Sequence, residues 1–553
     1  MQSILRHCLL ILGSLSVVGC GNSDLESITQ TGLVYCSEGS PDSFNPHIGT
    51  SSINFDASAR VLFDRLFEFG DNGSIKPSLA VKVGNKPEVS IEDYVSEDGL
   101  TYTIPLRSDV EFHSNRLYRP TRSLNATDVI FTFKRQQNED NPFHNTGSTE
   151  YSYFKSTGLK ENLASVYAKD SHTVVFQLRK ADPNFINYLA MEFTSIISKQ
   201  YADFIQNNEI DVVKFDSEPI GTGPFKFRRY EPNAFIRYVA HDDYWIDGEP
   251  ALKHLVFAIT PDPAVRYARL ISEECDVIAQ PLSSHLPLIT ANPELIVQRQ
   301  AGLNMGFWAF NTQKPPLHIP EVRKALSMAI NRARILESVY SGMGVLSNTP
   351  LPATMPYHND SLEDISYDPE RARNLLREAG FEDGFEIDIW PIPGQKSYMP
   401  DARLAAILMQ DDLSKIGVTL TIKGEGYQQS TFLNEVSNGA HDTAILGWVA
   451  DNFDAGDFMG TLLSCDARIN RTNRTFWCNP DFDDLLSNAK AARNNAIRAN
   501  LYNQAQQLFR DDLPLVPIAS GQRIQVIHQS VENMQLSPTG LGISFREVRK
   551  NQS

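Results

Sequence analysis

An aromatic residue, an acid and two cysteines lie close together in the chain between Gly447 and Cys478. Trp448 precedes Asp451, and Cys465 is the first of the two cysteines that follow. An ionised carboxylate beside an indole in a partly dry cleft can bind a cation, such as the ammonium group of a peptide N-terminus. The alternative is a surface turn with an ordinary aspartate, and the spacing alone leaves both interpretations open.

The elements that must position this segment include a strand–helix–strand unit just before it. Residues 386–390 and 418–422 alternate like strands, and residues 402–415 between them have helical spacing. The side chains predicted to form the buried face of that helix are Leu404, Ile407 and Leu408. A right-handed crossover of this kind implies a parallel sheet, whose ligands approach the carboxyl ends of the strands. Another helix is predicted over residues 320–332.

The loop over residues 391–400 follows the first strand of this unit and carries Lys396. Its position at a carboxyl end makes Lys396 a candidate cation for an anionic group of a ligand. An exposed loop lysine with no such role is the alternative.

The first twenty residues have the pattern of a bacterial lipoprotein signal peptide. A positively charged N-terminal region with Arg6 precedes an apolar run that is too short to span a bilayer. Residues 17–20 (VVGC) resemble a lipobox. Residues 1–19 are then removed, Cys20 becomes the lipidated N-terminus, and residues 20–30 form a tether. Soluble release after nearby cleavage is the alternative. With a lipid anchor, the chain is expected in the periplasm of a Gram-negative bacterium, held at a membrane.

Four cysteines can form disulfides, because Cys8 is removed with the signal peptide and Cys20 carries the lipid. Four cysteines in an oxidising compartment predict two disulfides, for which three connectivities exist. Closeness in the chain favours Cys465 with Cys478, which leaves Cys36 with Cys275. Metal binding is the alternative, but the chain has no CxxC pair and no histidine cluster at ligand spacing, so no metal site is predicted.

Size, charge and missing motifs exclude several classes of protein. The chain has 553 residues, 41% hydrophobic and 21% charged, which predicts two or three folded domains. Its formal charge of -17 repels nucleic acid and attracts cationic solutes. The chain contains no GxSxG, HExxH or phosphate-loop motif, and the SNAK sequence at 487–490 has no KTG partner, so no catalytic residues are predicted.

Several longer strings together resemble extracellular solute-binding protein family 5, whose members serve peptide ABC importers. These strings are LNATDVIFTFKR at 124–135, GTGPF at 221–225, HDDYW at 241–245, FNT at 310–312 with VRKALSMAIN at 322–331, and LSC at 463–465. Within the family the nearest resemblance is to Sap-type peptide-binding proteins, through VYCS at 34–37, NPFHN at 141–145 and TFWCNP at 475–480. Dipeptide-binding proteins are near relatives, and the resemblance covers nearly the whole mature chain.

The resemblance implies a two-lobed α/β fold of the periplasmic-binding-protein type (cluster C), with a hinge and an extra subdomain. The expected division is 31–63, 209–303 and 520–553 for lobe I, 64–208 for the subdomain and 304–519 for lobe II. Each predicted disulfide then lies within one lobe.

The resemblance also implies roles for three residues. Asp451 matches the family aspartate that receives a peptide ammonium group, within a W-x-x-D sequence that begins at Trp448. Dipeptide-binding relatives have an arginine for the peptide carboxylate at the position of Lys396. A lysine is a point charge and not a bidentate fork, so strict selection of one peptide length is not expected. Longer, basic or non-peptide ligands become more plausible.

The implied function is binding without chemistry and without a cofactor. Two lobes close on a peptide, including cationic or antimicrobial peptides, and a monomer delivers it to the permease and ATPase subunits of an inner-membrane ABC transporter. Three alternatives stay open. They are a receptor of the same fold for haem, polyamine or nickel, a cryptic peptidase, and a surface lipoprotein that acts as an adhesin or a peptide trap without a transporter.

Overall fold

The computed structural model describes residues 32–48, 52–70, 73–83, 91–146, 151–450, 452–469, 471–492, 494–537 and 543–551. The strands are β1 (Gly32–Ser37), β2 (Phe67–Phe69), β3 (Ile75–Pro77), β4 (Thr101–Pro105), β5 (Leu163–Asp170), β6 (Thr173–Leu178), β7 (Phe225–Glu231), β8 (Phe235–Ala240), β9 (His254–Ile259), β10 (Val277–Ala279), β11 (Leu295–Ala301), β12 (Asn304–Phe310), β13 (Gly344–Leu346), β14 (Phe385–Pro391), β15 (Val418–Ile422), β16 (Thr443–Val449), β17 (Leu515–His528), β18 (Val531–Glu532), β19 (Gln535–Leu536), β20 (Ile543–Ser544) and β21 (Arg549–Lys550).

Helices alternate with these strands through most of the described chain. The longer ones are α1 (Ala126–Gln137), α2 (Lys199–Asn207), α3 (Pro263–Ile271), α4 (Pro320–Ala329), α5 (Pro369–Glu378), α6 (Ala402–Ser414), α7 (Gln429–Ser437), α8 (Ala455–Leu463), α9 (Pro480–Ala491) and α10 (Asn495–Asp512). Short helical segments are Ser52–Asn54, Phe55–Ala59, Ile91–Asp93, Ser152–Ser156, Leu159–Asn162, Phe185–Tyr188, Glu192–Thr194, Lys214–Ser217, Ser283–His285, Leu286–Ala291, Arg332–Ile335, Leu336–Tyr340 and Cys465–Ile469.

Strand β17 runs through both halves of the large sheet. Its first half pairs with β12 and β13, and its second half pairs with β10 and β11, all antiparallel. The strand order is β15-β14-β16-β12-β17-β10-β1-β9-β8-β7, with β11 and β13 paired to β17 outside this path. One continuous strand therefore joins the two halves of the sheet.

The sheet halves belong to two separate apolar cores. The first core consists of buried side chains between Leu33 and Ala279, together with others between Ile527 and Val548. The second core gathers buried side chains between Leu303 and Ala519. Two cores linked through β17 give the two-lobed α/β arrangement that the sequence predicts.

The predicted strand–helix–strand unit is confirmed as β14, α6 and β15, and its two strands are parallel neighbours. The helix predicted over 320–332 is confirmed as α4. The predicted buried face of α6 is wrong for Ile407, which is 43% exposed, whereas Leu404 and Leu408 are partly buried and pack against the second core. The helix instead buries Ala402, Ala405, Ala406, Met409 and Leu413. Small alanine side chains at the contact allow a helix backbone to lie close to the sheet.

The N-terminal predictions fall outside the described residues. They are the signal peptide at 1–19, the tether at 20–30 and the lipid site at Cys20. In the described part of the chain, no helix is both long enough and apolar enough to cross a membrane.

Candidate functional site

Two parallel neighbouring strands bring the predicted site residues to one edge of the sheet. Strands β14 and β16 pair in parallel, from Ile389 opposite Thr443 to Pro391 opposite Ile445. The loop with Lys396 follows the carboxyl end of β14, and Trp448 is the second-last residue of β16. Since carboxyl ends of parallel strands meet at one edge, the structure places both predicted residues at that edge.

The end of β16 lies where the two cores meet. Trp448 is half-buried, pairs opposite Met305 of β12 and packs against the second core. The next residue, Val449, packs against the first core. The Ala450 amide then donates a hydrogen bond of 2.6 Å to the Leu303 carbonyl. Trp448 therefore stands at the junction of the two cores.

Asp451, the predicted ammonium anchor, lies outside the described residues. The residues on either side of it are buried, with Ala450 3% exposed and Asn452 4% exposed. The Asn452 side-chain oxygen accepts a hydrogen bond of 2.7 Å from the Asp454 amide, one residue before α8 begins. The chain is thus held at the junction on both sides of position 451.

Hydrogen bonds fix the loop that carries Lys396. The backbone amide of Met399 donates to the Lys396 carbonyl at 3.1 Å, and the Tyr340 hydroxyl donates to the Tyr398 carbonyl at 2.6 Å. The Lys396 ammonium group donates to the side-chain oxygen of Gln429, at the start of α7, at 2.6 Å.

Three glycines on neighbouring strands leave room for this loop. A Cβ atom at Gly447 of β16 would overlap the Tyr398 ring, and one at Gly306 of β12 would overlap the Tyr398 carbonyl. A Cβ atom at Gly521 of β17 would overlap the Ser397 carbonyl. The loop therefore lies directly on the sheet across three strands. Sequence reasoning missed these positions, although a glycine within a strand is a signal of close backbone approach.

Burial keeps the phenol groups beside the loop neutral. Loss of solvent raises the pKa of Tyr398 to about 12, and the Arg474 guanidinium opposes this only in part. Burial also raises the pKa of Tyr340 above its ordinary value. Phenols are protonated at neutral pH even at their ordinary pKa of 10, and burial moves both hydroxyls further from ionisation.

A cavity of about 350 Å³ opens next to the Lys396 loop. Its walls come from residues 391–395, 400–403 and 424–426, which lie at the end of β14, at the start of α6 and after β15. An ion pair between Arg403 and Glu425, two of the lining residues, contributes to this wall. The Lys396 ammonium lies 4.0 Å from where a Cβ atom of Gly394, another lining residue, would stand. Lys396 itself is not one of the lining residues, so the cavity lies beside the loop that carries this ammonium group.

Both disulfides join the cysteines expected from the sequence, Cys36 with Cys275 and Cys465 with Cys478. The second closes the chain segment that follows α8. The Cys465 amide also donates to a carboxylate oxygen of Asp483 at 3.0 Å. This disulfide therefore braces the segment between α8 and α9. Within the described ranges, no cluster of three or more histidine, cysteine or acidic side chains could hold a metal ion.

Two cores that share one strand, with Trp448 at their junction and the Lys396 loop lying across the neighbouring strands, give the two-lobed architecture of a binding protein. A sequence model described as bacterial extracellular solute-binding proteins, family 5 Middle, matches residues 74–470. The chain belongs to this family of solute-binding proteins of peptide ABC importers.

Relatives of known function resemble the chain over almost its whole length. The dipeptide-binding protein of Escherichia coli (strain K12) is 40% identical over 93% of this chain and 94% of that protein. Heme-binding protein A of Haemophilus influenzae is 36% identical over 94% of this chain and 92% of that protein. The peptide transport periplasmic protein SapA of Salmonella typhimurium is 34% identical over 100% of this chain and 99% of that protein.

Solved structures have the same fold. HbpA2 from Haemophilus parasuis superposes with a TM-score of 0.86 at 34% identity, covering 94% of this chain and 100% of that chain. A dipeptide-binding protein from Pseudoalteromonas sp. SM9913, in complex with Met-Leu, gives a TM-score of 0.77 at 38% identity with the same coverage.

Proposed function

We propose that the protein captures peptides between its two lobes and delivers them to the permease and ATPase subunits of an ABC importer. The observation that carries this proposal is the meeting of the Lys396 loop and the Trp448 end of β16 at one sheet edge, where the second core faces the first. A ligand at this edge contacts both lobes and favours their closure. The role is binding, and no catalytic step is proposed.

Recognition of the two ends of a peptide follows from the charges at this edge. Asp451 receives the peptide ammonium beside Trp448, and Lys396 receives the carboxylate. Closure of the lobes removes water, which strengthens both charge pairs. Backbone groups of an extended peptide can form strand-like hydrogen bonds that do not depend on side-chain identity.

The carboxylate end of the site supports a broader choice of ligands than dipeptides. Lys396 provides one flexible point charge, and the cavity of about 350 Å³ lies beside it. A peptide that continues past Lys396, or one with a bulky last side chain, has space there. The proposed ligands therefore include longer peptides, among them cationic and antimicrobial ones.

Haem is the second candidate ligand. It is supported by the 36% identity to the relative named heme-binding protein A over 94% of the chain. Haem carries carboxylate groups that could form an ion pair with Lys396. It has no ammonium group that would pair with Asp451. An absorption spectrum of the purified protein mixed with haemin distinguishes this candidate, because a bound haem shifts the Soret band.

The proposed location is the periplasm, with the protein attached to a membrane by lipid at Cys20 and acting as a monomer. The proposed division of the chain is lobe I over 31–63, 209–303 and 520–553, the subdomain over 64–208 and lobe II over 304–519. The two cores support the boundary between lobe I and lobe II, because second-core members run from Leu303 to Ala519, whereas the first core takes in residues of both lobe I and the subdomain. Incorporation of radioactive palmitate into the native protein, and its loss in Cys20→Ser, tests the anchor.

Native mass spectrometry of the protein as purified from its own organism tests the proposed function most broadly. We expect a mass increase that corresponds to bound peptides, which fragmentation then sequences. A mass increase from haem alone would contradict peptide capture and favour the second candidate.

A further inference from the structure

The ring of Phe453 contacts two residues of the β2–β3 hairpin. It meets the Phe69 ring edge-on, with ring centroids 5.5 Å apart and an angle of 61° between planes. A Cβ atom built at Gly73 would lie 2.9 Å from two carbons of the Phe453 ring. The ring therefore rests on the bare backbone of Gly73 with its edge against Phe69.

This contact joins the two cores of the molecule. Phe453 packs against the second core, whereas Phe69 packs against the first core. One residue earlier in the chain, the Asn452 side-chain amide lies 3.9 Å from the Met191 sulfur, which belongs to the first core. Residues 452 and 453 thus bind the second lobe to the side of the molecule that carries the hairpin.

Glycine is required at position 73 for two separate reasons. Its φ angle of 75° lies in the left-handed region, which strains any residue with a side chain. The Phe453 ring also occupies the space of a side chain at this position. The first reason does not depend on how the lobes are arranged, whereas the second applies only while Phe453 is in place.

We propose that Phe453 is a closure residue, which fastens the segment after Asp451 to Phe69 and Gly73 when the lobes close. Its role in ligand retention rests on the proposed function, because the fastened segment directly follows Asp451, the proposed ammonium anchor. Phe453 positions that segment and covers it with an apolar ring. It does not itself bind a charged ligand group.

On this proposal the contact breaks when the lobes open, and it therefore shifts the balance between open and closed molecules toward closed ones. Loss of an aromatic pair of this kind is expected to change that balance by about tenfold. Ligand release is expected to accelerate by about the same factor, because opening must precede release.

Four variants of the full chain separate closure from ordinary packing. Phe453→Ala removes the ring, Phe453→Tyr retains it, and Gly73→Ala pushes against it. Gly158→Ala is the matched control, because Gly158 has a φ of 74° but nothing within 4 Å of its Cβ position. The control thus imposes the same backbone strain without a clash.

Small-angle X-ray scattering of the unliganded variants, and the release rate of bound Met-Leu, are the measurements. We expect a larger radius of gyration or about tenfold faster release in Phe453→Ala and Gly73→Ala, and native values in Phe453→Tyr and Gly158→Ala. Adding Gly73→Ala to Phe453→Ala should have no further effect, because the ring that it meets is gone.

Native scattering together with native release in Phe453→Ala would overturn the proposal. So would an equal effect of Gly73→Ala with and without the Phe453 ring. If Met-Leu binds to none of the proteins, the proposed function loses its support, and the scattering of the unliganded variants alone decides whether Phe453 acts in closure.

Discussion

The ring of Tyr398 occupies the space where a side chain at position 447 would stand. The Lys396 loop therefore packs directly against the backbone of Gly447. Gly447→Ala is expected to push the loop away from the sheet, to weaken peptide binding by about tenfold or more, and to lower the free energy of unfolding by about 1–3 kcal/mol. Calorimetric titration with Met-Leu and urea unfolding measure the two effects.

Gly460→Ala in α8 is the control for this change. The nearest atom to a Cβ there is a Leu486 methyl carbon at 3.9 Å, which is an ordinary contact. This variant is expected to retain native affinity and to gain about 0.5–1 kcal/mol of stability, because alanine favours a helix more than glycine does. Equal affinities in the two variants would show that the position of the Lys396 loop does not depend on a glycine at position 447.

Lys396 is expected to contribute a modest part of the affinity. Lys396→Ala should weaken binding of a peptide with a free carboxylate by about 1 kcal/mol, since the lysine is only half-buried. Lys396→Arg should tighten it, because a guanidinium can bind a carboxylate through two hydrogen bonds. Titration with Met-Leu and with its C-terminal amide measures this. A loss of equal size for the amide would place Lys396 outside the carboxylate end of the site.

The Cys465–Cys478 disulfide is expected to affect stability more than binding. It closes a short loop with a sequence separation of 13 residues, which corresponds to about 3 kcal/mol on the chain-entropy model. Replacing both cysteines by serine should lower the melting temperature while leaving the affinity for Met-Leu within about twofold of native. Complete loss of binding in a folded variant would mean that the loop is part of the ligand site.

Acid should destabilise the second lobe through His441. Burial lowers the pKa of this side chain from 6.5 to about 4, and its ring nitrogen lies 2.9 Å from the Arg474 carbonyl. Because the unfolded chain takes up the proton first, the contribution of neutral His441 to the free energy of unfolding is complete above pH 6.5. It is lost as the pH falls toward 4. The loss reaches about 2 kcal/mol at pH 5.

Urea unfolding at pH 7 and pH 5 checks the sign and the size of this effect. His441→Gln, which can still donate to the Arg474 carbonyl, should lose about 2 kcal/mol less than the native protein between the two pH values. Identical losses would assign the acid sensitivity to other groups. His47 is one such group, because burial beside Tyr151 of the first core lowers its pKa to about 3.

Much of the fold could be predicted from the sequence because its signals are local. The alternation in β14 and β15 and the spacing in α4 lie within single segments, and the structure has all three elements. The predicted buried face of α6 was wrong at Ile407, because the alanines that this helix buries carry little hydrophobic signal compared with an isoleucine.

The site was less accessible to sequence reasoning. Lys396 and Trp448 could each be predicted as site residues because they lie near the ends of predicted strands. The surface beneath the Lys396 loop, however, depends on glycines from three distant parts of the chain. Gly306, Gly447 and Gly521 become neighbours only through the pairing of β12 with β16 and β17. The contact of Phe453 with Gly73 likewise depends on how the two lobes meet, which no local pattern encodes.

The most direct test of the central claim is calorimetric titration of native protein and Asp451→Ala with Met-Leu and with N-acetyl-Met-Leu at pH 7. Native protein should bind Met-Leu and lose most of its affinity when acetylation removes the ammonium charge. Asp451→Ala should bind Met-Leu more weakly by about 3–5 kcal/mol, because one side of a buried charge pair is missing, and acetylation should then change little. Equal affinity of the native protein and the variant for Met-Leu would contradict the account.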